Sequence, residues 1–211
     1  TNQIIFASNF KNYSKNMLLC ENCLNSLTAG ENYIKNKLDT RLMGFTVYLI
    51  PHFVFGTPMD KDELDYVSER IQNSFNTVKS IKSTNDFETS IKDLKDLNDE
   101  KNYFLINILF YKRSNQATKI QKLIKDISPT IFQEMMQGFY ETIKLSKNVM
   151  GNNFKLILDL QTFYFMTPIR LKNSEPMQYR NLLQMYDAIF EKRPMKKDEF
   201  IKNVIYCARI R

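Results

Sequence analysis

The most specific spacing in the chain belongs to two thiols, in Cys20-Glu21-Asn22-Cys23. Two residues between cysteines let one turn present both sulfurs to a tetrahedral ion, so the pair is half of a zinc knuckle. A complete structural site needs four ligands, and the sequence offers only His52 and Cys207 as further His or Cys ligands, neither at motif spacing. His52 follows Pro51 in an apolar run, which suits a core or strand-end histidine rather than a ligand. Cys207 falls on the apolar side of the last helical segment, as a buried, inert thiol would. A redox pair would stand at a helix start after a strand, and Met17-Leu18-Leu19 does not announce one.

Other chemistry is poorly served. The chain has a single His with no Ser or Cys partner at nucleophile spacing, and its five Gly form no phosphate-cradling loop. Asp60, Asp62, Glu63 and Asp65 could together hold magnesium for a nuclease. They also sit in the first turns of a predicted helix, where the helix dipole favours carboxylates without any metal. Cations are the richer resource. They cluster at Lys112-Arg113, at Lys119, Lys122 and Lys125, at Arg170 with Lys172, and at Arg193 with Lys196 and Lys197. Phe110 and Tyr111 beside Lys112-Arg113 pair an aromatic surface with charge, as single-strand binders do, although aromatics in such a run also suit a core. No helix-turn-helix, zinc-finger or RNP pattern assigns base readout.

The elements that must position these groups follow from periodicity. Leu24, Leu27, Ile34 and Leu38 fall on one face of a helix over 24–38. Phe45–Phe55 is apolar on both alternating faces, as a covered strand would be, but Pro51 requires an edge, a bulge or an end near Ile50. Thr57 and Pro58 offer an N-cap and a first turn for a helix whose stripe runs Leu64, Val67, Ile71, Phe75, Val78, Ile81. Residues 85–102 suit a solvated connector. Tyr103–Tyr111 reads as a central strand broken only by Asn107, then a turn at Lys112-Arg113. Over 117–127, Ile120, Leu123, Ile124 and Ile127 fit a helix, while the position after a strand and turn fits a hairpin partner, the reading preferred. Ser128-Pro129 opens a helix carrying Ile131, Phe132, Met135, Met136, Phe139 and Ile143; 154–167 fits either helix or strand; Pro176 starts a helix through Phe190; Asp198 opens the last.

Together these give an α+β chain: a small, mostly antiparallel sheet enclosed by helices, with the C-terminal third mainly helical. The expected divisions are a truncated knuckle-like region with its helix over 1–44, a mixed α/β core over 45–150, and a helical part over 151–211. Hydrophobic residues at 43% and charged residues at 25% are ordinary for a globular chain. No window approaches the roughly 18 uninterrupted apolar residues of a membrane span, and residues 1–12 do not form a signal peptide. Three cysteines suit a reducing compartment, so a soluble, cytoplasmic protein is expected. The formal charge of +7 attracts polyanions through counterion release, or simply solvates the surface. Thr1 in place of Met and an uncapped helical pattern at the end predict an internal piece of a longer protein.

The run Lys15-Asn16-Met17-Leu18-Leu19-Cys20-Glu21-Asn22-Cys23, followed by Leu27, Gly30, Tyr33-Ile34 and Tyr48-Leu49-Ile50-Pro51, resembles the large-subunit family of type I-B CRISPR surveillance complexes. The later strand, turn and Ile120 to Pro129 stretch extend the likeness. The resemblance implies a noncatalytic subunit that binds target DNA beside the recognised motif and along the opened strand. Its implied partners are the guide-RNA complex, neighbouring subunits and a helicase-nuclease. It also implies zinc on Cys20 and Cys23, completed in the intact protein by a cysteine pair upstream of Thr1, with none expected in the fragment alone. The competing expectations are a magnesium nuclease centred on Asp60 and a protein-interaction domain whose charge is incidental.

Overall fold

The computed structural model describes residues 20–55, 59–80, 103–114, 117–151, 153–168, 171–172, 175–176 and 179–210. Its centre is a four-stranded antiparallel sheet in the order β1 (Asp39–Leu42), β2 (Phe45–Phe55), β3 (Tyr103–Ser114) and β4 (Ala117–Ile127). β1 and β2 join through Met43 (φ 45°) and Gly44 (φ 83°), the two positive-φ residues of a tight hairpin turn. β1 itself was not anticipated. The β1 register ends at Asp39↔Tyr48, and beyond it Leu49 donates to the Leu38 carbonyl at 3.0 Å. Pro51 therefore lies where β2 has no described neighbour on that flank, while it still faces Ile106 on the other. The strand runs through the proline because the missing N–H costs no ladder bond there.

β3 runs on to Ser114, so Lys112 and Arg113 are strand residues rather than the expected turn. The one polar residue in its apolar run has a task. β4 bulges between the pairs Ile106↔Ile127 and Ile108↔Ile124, and Asp126 there adopts φ 55°. The Asn107 carboxamide oxygen accepts the Asp126 N–H at 2.9 Å, replacing the ladder bond that the bulge removes.

Val47 and Leu49 face Phe110 and Ile108 across the β2–β3 ladder, and these four side chains are fully buried. Helices supply the other half of the core: α2 (Lys61–Lys79), α3 (Thr130–Met150), the short α4 (Leu160–Phe165) and α5 (Arg180–Phe190). The predicted α2 stripe is present, with Val67, Ile71, Phe75 and Val78 buried. Its cap differs from the expected Thr57: Asp60 accepts the Glu63 N–H at 2.9 Å while Glu63 accepts the Asp60 N–H, a reciprocal pairing that fixes the start at Lys61. Thr57, Pro58, Ile81 and the 85–102 connector lie outside the described residues. Rings lock the layers together, with Phe110 stacked on Tyr186 at 5.9 Å and Phe75 on Phe190 at 6.4 Å.

The undecided 154–167 segment is an irregular stretch followed by α4, capped by Asp159, whose carboxylate accepts the Thr162 N–H at 2.7 Å. Pro176 does not start a helix. It pairs with Leu171 in a two-residue ladder, and α5 begins at Arg180. The last helix, α6, spans Lys197–Ile210. The architecture is thus α+β with a helical C-terminal region, as expected. No helix among the described residues is long and apolar enough to cross a membrane.

The first helix, α1 (Glu21–Lys37), buries none of its residues. Leu24 and Leu27 are more than half exposed, whereas Ile34 is half-buried and Leu38, just past the helix end, is buried, so the predicted apolar face meets the core only towards its C-terminal end. Among the described residues its side-chain ties lie in its C-terminal half. The Tyr33 hydroxyl donates to the Asp65 carboxylate at 2.8 Å and lies 3.0 Å from the Ser68 hydroxyl, and Lys37 reaches the same carboxylate at 3.4 Å.

Candidate nucleic-acid interface

Most of the cations singled out by sequence that the structure describes fall in two places. Lys112 and Lys119 are direct partners across the β3–β4 ladder, both exposed. Arg113 follows at the Thr118 register position, and Lys125 is exposed near the other end of β4. Lys172 faces Glu175 in the two-residue ladder, while Arg170 lies outside the described residues.

The second place joins distant parts of the chain. Lys122 on β4, Arg193 after α5 and Lys196 before α6 line one cleft of about 430 Å³. Asp187, 7% exposed, stands at its inner edge and organises it. Lys122 reaches its carboxylate at 2.9 Å, and the Arg193 guanidinium bonds the same oxygen. Arg193 also binds Glu191 at 2.6 Å, and that hydrogen bond, with the two nearby carboxylates, raises the guanidinium pKa further. Lys122 is therefore spent largely on Asp187. Lys196 and Lys197 are exposed and have no carboxylate partner among the described residues. Sequence reasoning found the cations and missed Asp187, the residue that draws two of them together.

The candidate metal ligands stand at the tip of α1. Cys20 is its N-cap, and its sulfur accepts the Cys23 N–H at 3.4 Å. That bond, with others from neighbouring amides, lowers the Cys20 thiol below its ordinary pKa. Both thiols are exposed, so the pair fits half of a tetrahedral thiolate site. Among the described residues no three His, Cys, Asp or Glu side chains gather closely enough to hold a metal. His52 is not a core residue: it is exposed, and its Nδ1 lies 3.0 Å from Asp126. Cys207 is half-buried rather than enclosed. Three of the four acidic residues considered for a nuclease have structural work, since Asp60 and Glu63 cap α2 and Asp65 holds α1. The hydrogen bond from Tyr33, aided by Lys37, keeps the Asp65 carboxyl below the usual carboxylate pKa.

A family model described as the central domain of the CRISPR-associated protein TM1802 matches residues 1–127. It spans α1 and the whole four-stranded sheet, and ends where the helical region begins. No curated protein and no solved structure matches the chain. The cleft is consequently built across the family boundary, with Lys122 inside the matched region and Arg193 and Lys196 beyond it. With more than half of its 211 residues inside that model, the chain belongs to the CRISPR-associated TM1802 family.

Proposed function

We propose that this chain is a noncatalytic segment of the large subunit of a type I-B surveillance complex, where it holds nucleic acid beside the guide-paired target. The observation that carries the reading is the gathering of Lys122, Arg193 and Lys196 on one cleft, with Lys196 and Lys197 left without a carboxylate partner among the described residues. Family membership supplies the context, and the facing Lys112 and Lys119 extend the cationic surface along the sheet. In such complexes guide pairing reads sequence, so the protein's part is chiefly to hold backbones.

Cys20 and Cys23 would hold a structural zinc ion, stabilising the α1 tip, with the remaining ligands supplied from outside the described residues. The exposed Leu24 and Leu27 favour a partner subunit as the cover for α1.

The test is fluorescence anisotropy of labelled single-stranded and duplex DNA over a range of salt. Affinity should fall with salt along a straight log–log line. Lys196→Ala with Lys197→Ala should reduce the slope by up to about 0.7 per lost phosphate contact on single strands. Absence of binding at low salt, or binding indifferent to both substitutions, would defeat the proposal, and magnesium-dependent cleavage lost in Asp62→Ala would favour a nuclease instead.

A further inference from the structure

We infer that the cleft between α5 and α6 receives one unstacked nucleotide of a single strand, with its base inside and its phosphate at Lys196. The inference rests on the nucleic-acid reading above and specifies what that surface grips. A volume of about 430 Å³ is in the range of small-ligand pockets, roughly 300–1,000 Å³, and suits a nucleotide rather than a helix. Its shape argues the same way. Duplex readout needs a convex element that enters a groove, whereas a concave cleft takes a base that has left its stack.

The lining has the three chemistries that a nucleotide presents. Met185, Met195 and Phe200 offer apolar and aromatic surface to the flat faces of a base. Asn181, Gln184 and Asn203 supply carboxamides, none of which has a hydrogen-bond partner among the described residues. Each carries both donors and an acceptor, the combination that base edges require. Asn181 and Gln184 are three residues apart on α5 and so share a face, with Asn203 contributed by α6. Charge then fixes the ligand class. Asp187 occupies Lys122 and Arg193, and Glu199 also lines the cleft, which leaves Lys196 as the cation without a carboxylate partner. One such cation matches the single charge of a phosphodiester and falls short of a free nucleoside triphosphate.

The experiment compares, on the full chain and at fixed salt, a thymidine oligonucleotide with an abasic oligonucleotide of equal length and charge, alongside the corresponding uridine and abasic ribose pair. The expected result is a preference of about tenfold for the base-bearing strand in at least one sugar series. Gln184→Ala with Asn203→Ala should erase that preference while abasic binding and its salt slope stay unchanged. Asn181→Ala with Gln184→Ala, both on exposed positions of α5, gives a second variant should Asn203→Ala impair folding. Equal binding of base-bearing and abasic strands in both series overturns the nucleotide cleft and leaves the backbone-holding surface standing. No binding to any strand removes both. An acidic peptide whose affinity drops in the amide variants while the oligonucleotides are unaffected would also overturn it, by assigning the cleft to protein.

Discussion

Asp187→Asn should make the protein less stable and its nucleic-acid binding tighter. The carboxylate is 7% exposed, and two cations from different elements converge on it, Lys122 at 2.9 Å and Arg193. Asparagine keeps the volume and one acceptor oxygen but removes the charge. Hydrogen bonds to charged groups contribute about 1 kcal/mol more than neutral ones. The Lys122 bond accounts for about 1 kcal/mol, while the solvent-exposed Arg193 guanidinium is screened by water. For a chain of this size about 1 kcal/mol is a fall in Tm of about 2–4 °C. The same change frees two cations at the cleft. If both meet phosphates, the salt slope for single strands should steepen by up to about 1.4, at ~0.7 per contact. Thermal melts give the first quantity and anisotropy titrations across potassium chloride the second. A folded variant whose affinity falls along with its stability would refute the reasoning, because the released cations would then have no phosphate to meet.

Three further outcomes follow from named contacts. Asn107→Ala removes the acceptor of the Asp126 N–H at the β4 bulge and should cost about 1 kcal/mol in urea unfolding; an unchanged midpoint would mean that water serves equally well. Tyr186→Phe leaves the Leu160 carbonyl without its 3.0 Å donor and should cost about 1–2 kcal/mol at neutral pH. Burial, with Asp159 nearby, raises the Tyr186 pKa in the folded state, while the unfolded chain releases this proton near pH ~10. Its contribution is thus complete below that pH and lost above it, so wild-type stability should fall more steeply than that of Tyr186→Phe in alkaline unfolding curves. Iodoacetamide labelling read by mass spectrometry should modify Cys20 ahead of Cys207, since the first is exposed with a lowered thiol pKa and the second half-buried; equal rates would contradict the N-cap geometry.

What was legible in the sequence depended on how many residues carried each signal. β2 and β3 announce themselves through long apolar runs, and the α2 stripe repeats over many positions, whereas β4, whose Ile120, Leu123, Ile124 and Ile127 also fit a helix, is favoured only by its place after a strand and turn. β1 is four residues long and turns through Met43, a residue type that does not advertise a positive φ. Helix ends went astray where two caps competed. Thr57-Pro58 and Asp60 with Glu63 are both plausible starts, and the reciprocal bonds at Asp60 and Glu63 give the structure the latter. Pro176 has the look of a first helical turn but serves as well in a short ladder. Asn107 shows the reverse, a polar exception in a buried strand that proved to be the partner of a bulge. The cleft was invisible for a different reason. Its cations are far apart in sequence, and nothing in the local pattern around Asp187 reveals that it will be buried facing β4.

The most direct measurement is photocrosslinking in the assembled CRISPR complex, with photoreactive thymidine placed along the target strands and adducts located by peptide sequencing. Adducts within 181–203, together with the 112–122 strands, are the predicted result. Labelling confined to other subunits, with this chain untouched while the complex remains intact and target-bound, would contradict the claim that it acts by holding nucleic acid.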